Sequence, residues 1–301
     1  MMQDIQSPPE ICDYEGATYR TDFWEGKGRD YEDRVERLAL RRLLPQRGER
    51  LLEIGAGFGR LTQEYNTYNQ VVLLDYSLSQ LQYAQAHLGT SGRYVYVAAN
   101  AYKLPFQQGV FDGATLIRVI HHFVDAPAVL AQIRHALTPD ATFILEFANK
   151  RNLKAVIRYA LKQQTWNPHA LEPVEFAALN FDFHPQYIEH ALFDAGFATG
   201  ERIPVSFFRV AVLKRLVPTG LLVGMDNILQ RSGLLYAPSI FVRSRATGDT
   251  PNHLDTDDIF ACPECGKPLT RRREALYCEH DDLHWAIRDG IYDFKAPLEQ
   301  S

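Results

Sequence analysis

Apolar and polar residues alternate along most of the chain in a pattern that favours short strands separated by helices. From Arg50 onward, a short apolar run, a turn and a stretch of helical period follow one another repeatedly. Strands of a buried parallel sheet have this appearance, because helices cover both of its faces. The pattern predicts strands at 50–54, 70–75, 93–98, 112–119, 141–148, 203–208 and 239–244, and helices near 59–66, 78–88, 126–137, 151–163 and 185–195.

This alternation predicts an α/β fold with a seven-stranded, mostly parallel sheet and helices on both faces. An amphipathic helix precedes the first strand and ends at Pro45, with apolar residues at helical spacing: Val35, Leu38, Leu40 and Leu43. We expect an N-terminal helical cap over residues 1–45 and a main domain over residues 46–246. The polar, turn-rich residues 247–256 predict a linker, and residues 257–297 a small β unit.

The composition is that of an ordinary globular protein. The 301 residues are 46% hydrophobic and 23% charged, with a formal net charge of −5. A mildly acidic chain is not built mainly to coat nucleic acid, so no stable nucleic-acid binding is predicted. The first ten residues lack the features of a signal peptide, and no apolar run of about 18 residues occurs. We therefore expect no transmembrane segment and a cytoplasmic location.

The first predicted strand ends in a glycine-rich turn, residues 55–59, that brings the backbone close to a ligand because glycine has no β-carbon. Arg60 stands where the dinucleotide pattern Gly-x-Gly-x-x-Gly has its last glycine. Glu53 would repel a pyrophosphate but suits a ligand with a cationic amino-acid end, as in S-adenosylmethionine. Asp75, at the end of the second apolar strand, is placed to accept hydrogen bonds from both hydroxyls of a ribose.

Four segments together resemble the successive motifs of class I S-adenosylmethionine-dependent methyltransferases, whose fold is Rossmann-like: LLEIGAGFGRL, VVLLDYS, AANAYKLPF and FDGATLIRVIHHFVD. The resemblance implies that Tyr76 stacks on the adenine ring and that Asn100 with Ala101 meets its edge. Most family members have Asp at position 100, but an amide oxygen also accepts a hydrogen bond. The predicted cofactor-binding residues are Glu53, Gly55, Ala56, Gly57, Asp75, Tyr76, Asn100, Ala101 and Arg118.

Two histidines follow the fourth predicted strand, at the sheet edge where ligands of open α/β folds bind. His121 and His122 are candidate catalytic residues, because an imidazole can accept a proton from the methyl acceptor near neutral pH. Alternatively, the pair packs against the next helix or bonds to the backbone. Candidates for a roof over the acceptor, with ordinary packing as the alternative, are Tyr19, Phe23, Trp24, Phe181, Asp182, Phe183 and His184.

Three of the four cysteines have the spacing of a zinc ribbon: Cys262, Cys265 and Cys278. His280, Asp281 and His284 are all within reach as the fourth ligand, and we predict His280 because imidazole suits zinc better than a carboxylate. The tail also resembles a zinc-ribbon-like family that includes the activator subunit of tRNA and translation-factor methyltransferases, which implies Asp281 at the last metal position. We predict a structural Zn²⁺; the alternative is a metal-free ribbon held by packing.

These features favour a methyltransferase that acts on a small molecule, because the cap and the late insertion suit an enclosed pocket. An RNA or protein acceptor is the alternative that the tail keeps open. A third hypothesis is a non-catalytic cofactor-binding protein whose ribbon is an interaction module. The apolar segment 209–229 is expected to pack as core helix rather than to contact a membrane.

Overall fold

The structure is a computed structural model that describes residues 11, 13, 15, 16 and 28–299. The roof candidates Tyr19, Phe23 and Trp24 lie outside the described residues. The strands are β1 (Gly48–Ile54), β2 (Tyr68–Asp75), β3 (Tyr94–Ala98), β4 (Phe111–Leu116), β5 (Leu137–Ala148), β6 (Val174–Ala177), β7 (Asn180–Asp182), β8 (Phe197–Val205), β9 (Ser239–Ala246), β10 (Thr270–Arg272), β11 (Ala275–Cys278), β12 (Leu283–Arg288) and β13 (Ile291–Asp293). The helices are α1 (Asp30–Leu43), α2 (Leu78–Leu88), α3 (Ala126–Ala136), α4 (Leu153–Ala160), α5 (Pro185–Asp194), α6 (Ala211–Leu216) and α7 (Thr219–Leu229).

The main sheet has the strand order β3-β2-β1-β4-β5-β9-β8. The first five of these strands are parallel, whereas β9 runs antiparallel to both β5 and β8. Each of the seven predicted strands overlaps one of these. The predicted α/β fold with a mostly parallel sheet is therefore confirmed.

Helices cover both faces of the sheet because successive strand residues point to opposite sides. Leu52 belongs to a core that also contains residues of α3 and α5, whereas Leu51 belongs to a core with residues of α1, α2 and α7. The strands β1 to β4 all end at the same edge of the sheet. The predicted cofactor residues follow these strand ends and are thereby brought together.

The predicted helix over residues 59–66 is wrong, since only a short 3-10 turn at Thr62–Glu64 forms there. Gly57 and Gly59 adopt φ angles of 54° and 78°. A right-handed helix cannot pass through such residues, and β2 already begins at Tyr68. Too few residues remain between the glycine turn and β2 for a longer helix.

The C-terminal strands β10–β13 continue the main sheet instead of forming an isolated unit. β13 pairs in parallel with β3, and β12, β11 and β10 follow in antiparallel order, which gives a sheet of 11 strands. Trp285 and Phe294 of this tail lie in the same core as Leu52. The tail thus covers an edge of the sheet that would otherwise expose unpaired backbone groups.

The predicted linker 247–256 follows a fixed path along the main domain. The Arg134 guanidinium donates to the carbonyl of Thr247 and to the hydroxyl of Thr250, both at 2.9 Å. The amide of His253 donates to the carbonyl of Gly109 at 2.8 Å. These bonds connect the linker to α3 and to the loop before β4.

Core packing, expected for the whole apolar segment 209–229, holds for only part of it. Pro218 divides the segment into α6 and α7. Only Leu222, Val223 and Asp226 of α7 are buried, and no residue of α6 is buried. The segment therefore leaves a large apolar surface exposed.

Candidate functional site

A cavity of about 790 Å³, partly open to solvent, lies at the carboxyl ends of β1 to β4. Its lining brings together seven of the nine predicted cofactor residues: Gly55, Gly57, Asp75, Tyr76, Asn100, Ala101 and Arg118. Glu53 and Ala56 line a second cavity of about 460 Å³, which shares Gly55, Gly57 and Arg118 with the first. The first cavity also contains residues that the sequence analysis did not single out, among them Ile11, Gln80, Tyr102 and Phe123.

The glycine turn forms the floor between the two cavities. Gly55 has a φ of +69°, and a β-carbon there would lie 2.2 Å from Cγ2 of Val119. Gly57 has a φ of +54°, but a β-carbon there would meet no atom within 4 Å. Gly55 is thus required both by its conformation and by the close approach of Val119, whereas Gly57 is required by conformation alone.

The amides of this turn bond to the end of β2. Those of Gly55 and Ala56 donate to the carbonyl of Leu74 at 2.8 and 3.0 Å, and that of Gly57 donates to Oδ2 of Asp75 at 2.7 Å. The backbone amide of Ser77 donates to the other carboxyl oxygen of Asp75 at 2.9 Å. Burial raises the pKa of Asp75 and these amide bonds oppose the rise. The two amides fix the orientation of the carboxyl at the cavity wall.

The wall of the first cavity at which the family resemblance predicts adenine to bind is formed by the loop after β3, and the C-terminal tail approaches Tyr76. Oδ1 of Asn100 accepts a hydrogen bond from the backbone amide of Tyr102 at 2.9 Å, which fixes the amide side chain. The ammonium of Lys295, just past β13, lies 5.4 Å from the centre of the Tyr76 ring. No local sequence signal identifies Lys295, because its place depends on the pairing of β13 with β3.

Glu53 lies in the second cavity with its carboxyl nearly removed from solvent. Its Oε2 accepts a hydrogen bond from the Thr62 hydroxyl at 2.6 Å. Burial raises the pKa of Glu53 to about 7, although the bond to Thr62 and the charge of Arg60 act in the opposite direction. Glu53 therefore changes its charge near neutral pH.

Arg118 connects the cavities to the N-terminal helix. It follows β4 with a positive φ of 61°, and its amide donates to Oε2 of Glu146 at 2.9 Å. Its guanidinium donates to Oε1 of the buried Glu36 on α1 at 2.5 Å. The unusual backbone conformation is thus held by bonds at both the amide and the side chain.

The two histidines differ in their access to the first cavity. His122 lines it, and Nδ1 of His122 donates to the carbonyl of Leu179 at 2.9 Å, so that Nε2 is the basic nitrogen of the neutral ring. His121 is absent from the lining of the described cavities, and its buried Nδ1 has no hydrogen-bond partner within the described part of the chain. Burial lowers the pKa of both imidazoles, so both are neutral at pH 7.

Four of the candidates for a roof over the acceptor lie within the described residues, and two of them, Phe183 and His184, serve local structure. Phe183 is buried in the core, and Nδ1 of His184 accepts the amide of Gln186 at 3.2 Å as the cap of α5. Burial raises the pKa of Asp182 to about 6. Asp182 and Phe181, which is partly buried, belong to β7. These positions fit the alternative of ordinary packing for Phe183 and His184.

The tail brings three thiols and one carboxylate together. Ligand atoms of Cys262, Cys265, Cys278 and Asp281 all lie within 4.8 Å of one another. The Cys265 and Cys278 sulfurs are 3.5 Å apart, and sulfurs that share one tetrahedral zinc ion lie about 3.8 Å apart. His280, predicted as the fourth donor, is not among these ligand atoms, and its Nδ1 bonds to Oδ1 of Asp281 at 2.8 Å. The turn after Cys278 directs the carboxylate of Asp281 toward the thiols, and it does not direct the His280 ring there.

The cluster is joined to the loop that carries Asn100. Residue Ala261, next to Cys262, donates its amide to the carbonyl of Pro105 at 3.0 Å, and Lys103 pairs with Glu264 at 2.7 Å. The Phe106 and Phe260 rings stack with their centres 5.9 Å apart. The ribbon thus supports the loop at one end of the first cavity.

Comparison with known proteins identifies the family of one part of the chain. Residues 52–145 match the model of a family described as a methyltransferase domain. These residues form a methyltransferase domain. The resemblance predicted from the four motifs is confirmed. The match runs from β1 into β5 and includes the strand ends of β1 to β4, beside which both cavities lie.

Two curated relatives of the matched part are named O-methyltransferases or after an O-demethylated substrate. The chain is 29% identical over 150 residues to the O-methyltransferase cnsE of Penicillium expansum, which covers 46% of this chain and 54% of the relative. It is 29% identical over 138 residues to the 27-O-demethylrifamycin SV methyltransferase of Amycolatopsis mediterranei, covering 43% and 51%. The chain thus spans about half the length of these relatives.

One solved structure shares the fold over a larger part of the chain. A chain of the complex between the Haloferax volcanii Trm112 methyltransferase activator and a methyltransferase has a TM-score of 0.54 and 15% identity. The match covers 76% of this chain and 96% of that one. At this identity the likeness concerns the fold alone.

Proposed function

We propose that the protein is an S-adenosylmethionine-dependent methyltransferase that acts on a small-molecule acceptor. The observation that carries the proposal is the carboxyl of Asp75, fixed by two amides beside a glycine turn at the end of the parallel strands. A methyltransferase domain with a ribose-binding acid in this position fits an adenosine-containing cofactor. The substrate in the name of one curated relative, 27-O-demethylrifamycin SV, supports a small-molecule acceptor.

The residues of the two cavities fit S-adenosylmethionine. The glycine turn leaves room for the ligand, Asp75 can accept ribose hydroxyls, and Tyr76 with Asn100 can hold the adenine. Glu53 lies on the side suited to the cationic amino-acid end. When bound, the cofactor supplies a methyl group on a good leaving group, so the protein mainly has to align the acceptor and exclude water.

His122 is the better placed of the two candidate bases. Its ring lines the first cavity, and the bond from Nδ1 to Leu179 orients Nε2 as the proton acceptor. Because burial holds its pKa below the ordinary value, the ring is in its basic form at pH 7. His121, with its buried Nδ1, is assigned to positioning the neighbouring ring, whose centre lies 4.1 Å away.

We further propose that Cys262, Cys265, Cys278 and Asp281 bind a structural Zn²⁺. Three thiols and a carboxylate are a donor set that zinc accepts, and a site with four protein ligands leaves no open position for catalysis. The role of the ion is to hold the ribbon against the loop that carries Asn100. Thiols kept for a metal suit a reducing compartment such as the cytoplasm.

The activity is tested by incubating the protein with methyl-labelled cofactor and three acceptor fractions of a cell extract: organic-soluble small molecules, RNA and protein. We expect label in the small-molecule fraction. Label in RNA or protein would contradict the proposed acceptor class. Cofactor binding without label in any fraction would favour the non-catalytic hypothesis. His122→Asn should lower the rate more than it lowers cofactor affinity, because the proposed proton transfer from the acceptor is part of the reaction and not of cofactor binding.

A further inference from the structure

The exposed apolar side chains of the protein are concentrated in two segments, residues 151–164 and 207–236. Among the described residues, 13 of the 18 large hydrophobic side chains that are exposed belong to these segments. Isolated exposed apolar residues are normal on a protein surface, but a concentration of them indicates a binding surface. The two segments comprise α4, α6, α7 and the turns that follow.

Helical spacing places these side chains on single faces. On α4, Leu153, Ile157 and Leu161 recur every four residues, while Ala155 on the other side is buried. On α7, the exposed residues are Leu221, Met225 and Ile228, and the buried residues lie on the opposite face. Leu216 of α6 and Ile228 are 76% and 71% exposed, so little of either side chain is covered.

The two segments contact each other where α4 begins. The amide of Leu153 at the start of α4 donates to the carbonyl of Tyr236 at 2.8 Å. The guanidinium of Arg151 lies 5.2 Å from the centre of the Tyr236 ring. Residues 207–236 run as a single stretch through α6 and α7 and reach the start of α4 at Tyr236. We call the exposed apolar and basic side chains of the two segments the apolar-basic face.

The charge of this face differs in sign from that of the whole chain. The two segments contain eight Lys and Arg residues and one acidic residue, Asp226, although the chain as a whole carries a net charge of −5. Asp226 is buried and accepts a hydrogen bond from the Tyr31 hydroxyl at 2.5 Å, so it is not presented at the surface. The basic residues that are exposed beside the apolar side chains are Lys154, Arg158, Lys162, Arg215 and Arg231.

We propose that the apolar-basic face docks the protein on an anionic lipid surface. Helices that lie in the interface of a membrane combine an apolar face with flanking Lys and Arg, which is the arrangement on α4 and α6. Helix α7 adds exposed apolar residues and is followed by the exposed Arg231. Basic side chains near an anionic leaflet add an attraction that salt weakens. None of the helices in the described part of the chain has the length and apolarity of a membrane span.

The test is flotation of the full-length protein with vesicles of phosphatidylcholine alone and of phosphatidylcholine mixed with phosphatidylglycerol, in the absence of cofactor. We expect binding to the mixed vesicles that falls as salt is raised, and weak binding to phosphatidylcholine. The double substitution Lys154→Glu and Arg158→Glu should lower the partition coefficient at least about tenfold, since each cation contributes separately. Leu216→Asp with Ile228→Asp should abolish binding to both vesicles.

Phe193→Asp on α5 is the matched control. Phe193 is 77% exposed but lies outside the apolar-basic face, so this variant should bind like the parent. The proposal is overturned if the parent does not float with the mixed vesicles, or if Phe193→Asp loses binding as the double variants do. It is also overturned if sedimentation shows a dimer that Leu216→Asp dissociates. Because no cofactor is present, these outcomes do not depend on methyltransferase activity.

Discussion

Glu36 on α1 and Arg118 after β4 form a buried ion pair, with Oε1 of Glu36 2.5 Å from the guanidinium. Glu36 also pairs with Arg60 at 2.8 Å. Burial alone would raise the pKa of Glu36, but the two arginines hold it below its ordinary value. Since Arg118 lines both cavities and Arg60 lines the second, the pair joins the N-terminal helix to the site.

Glu36→Gln should therefore destabilise the fold. Removing the carboxylate takes the buried ion pair from Arg118, whereas Arg60 keeps its ion pair with Asp33 at 2.6 Å. Loss of such a buried pair costs about 3 kcal/mol in the free energy of unfolding. Urea denaturation at pH 7 measures the change. Asp140→Asn is the control, because Asp140 forms an exposed ion pair with Arg245 and asparagine tolerates its positive φ. A loss of about 0.5 kcal/mol or less is expected there; equal losses in both variants would refute the role of Glu36.

Alanine at Gly55 and at Gly57 should have different effects. Both variants force a non-glycine residue into the left-handed region, at a cost of about 1 kcal/mol or more. Only Gly55→Ala also creates a clash, with Val119, and this should lower the melting temperature further and displace the turn. The double variant Gly55→Ala and Val119→Ala should recover part of the loss. Equal melting temperatures of Gly55→Ala and Gly57→Ala would contradict this account.

Cofactor affinity should depend on the ionisation of Glu53. The pKa of Glu53 is raised from 4.5 to about 7, so part of the population is protonated at neutral pH. A cationic ligand favours the carboxylate, so affinity for S-adenosylmethionine should increase severalfold from pH 6 to pH 7.5. Glu53→Gln should remove this dependence. Calorimetric titrations at several pH values measure it, and an unchanged slope in Glu53→Gln would contradict the assignment.

The same shift has a consequence for stability without ligand. A carboxyl whose pKa is higher in the folded state stabilises the fold fully below pH 4.5 and loses that contribution as pH rises through about 7. Glu53→Gln should therefore gain stability relative to the parent as the pH is raised from 6 to 8. Denaturation at the two pH values provides the comparison.

The strands and the glycine turn were predictable because their signals are local. Apolar runs such as residues 71–74 mark buried strands, and the spacing from Gly55 to Asp75 covers the connection after β1 and the whole of β2. The helix predicted over residues 59–66 does not form because Gly59 adopts a positive φ, which the amino-acid sequence alone does not reveal. Pairing of β13 with β3, and with it the position of Lys295 at Tyr76, depends on contacts between distant residues.

The identity of the fourth metal ligand also could not be predicted from the sequence, although the candidates are neighbours in the chain. Cysteine spacing identified the cluster, but the choice between His280 and Asp281 depends on side-chain direction in a turn. Elemental analysis should find stoichiometric zinc in the parent, retention in His280→Ala and substantial loss in Asp281→Ala and Cys265→Ser. Loss in His280→Ala with retention in Asp281→Ala would restore the histidine as the ligand.

The most direct test of the central claim is calorimetric titration of the protein with S-adenosylmethionine. We expect binding by the parent and at least tenfold weaker binding by Asp75→Ala, because a carboxylate that accepts ribose hydroxyls contributes about 1.5–3 kcal/mol. Asp249→Ala, an exposed aspartate in the linker, is the matched control and should bind like the parent. Absence of binding by the parent, or equal affinities of parent and Asp75→Ala, would contradict the account.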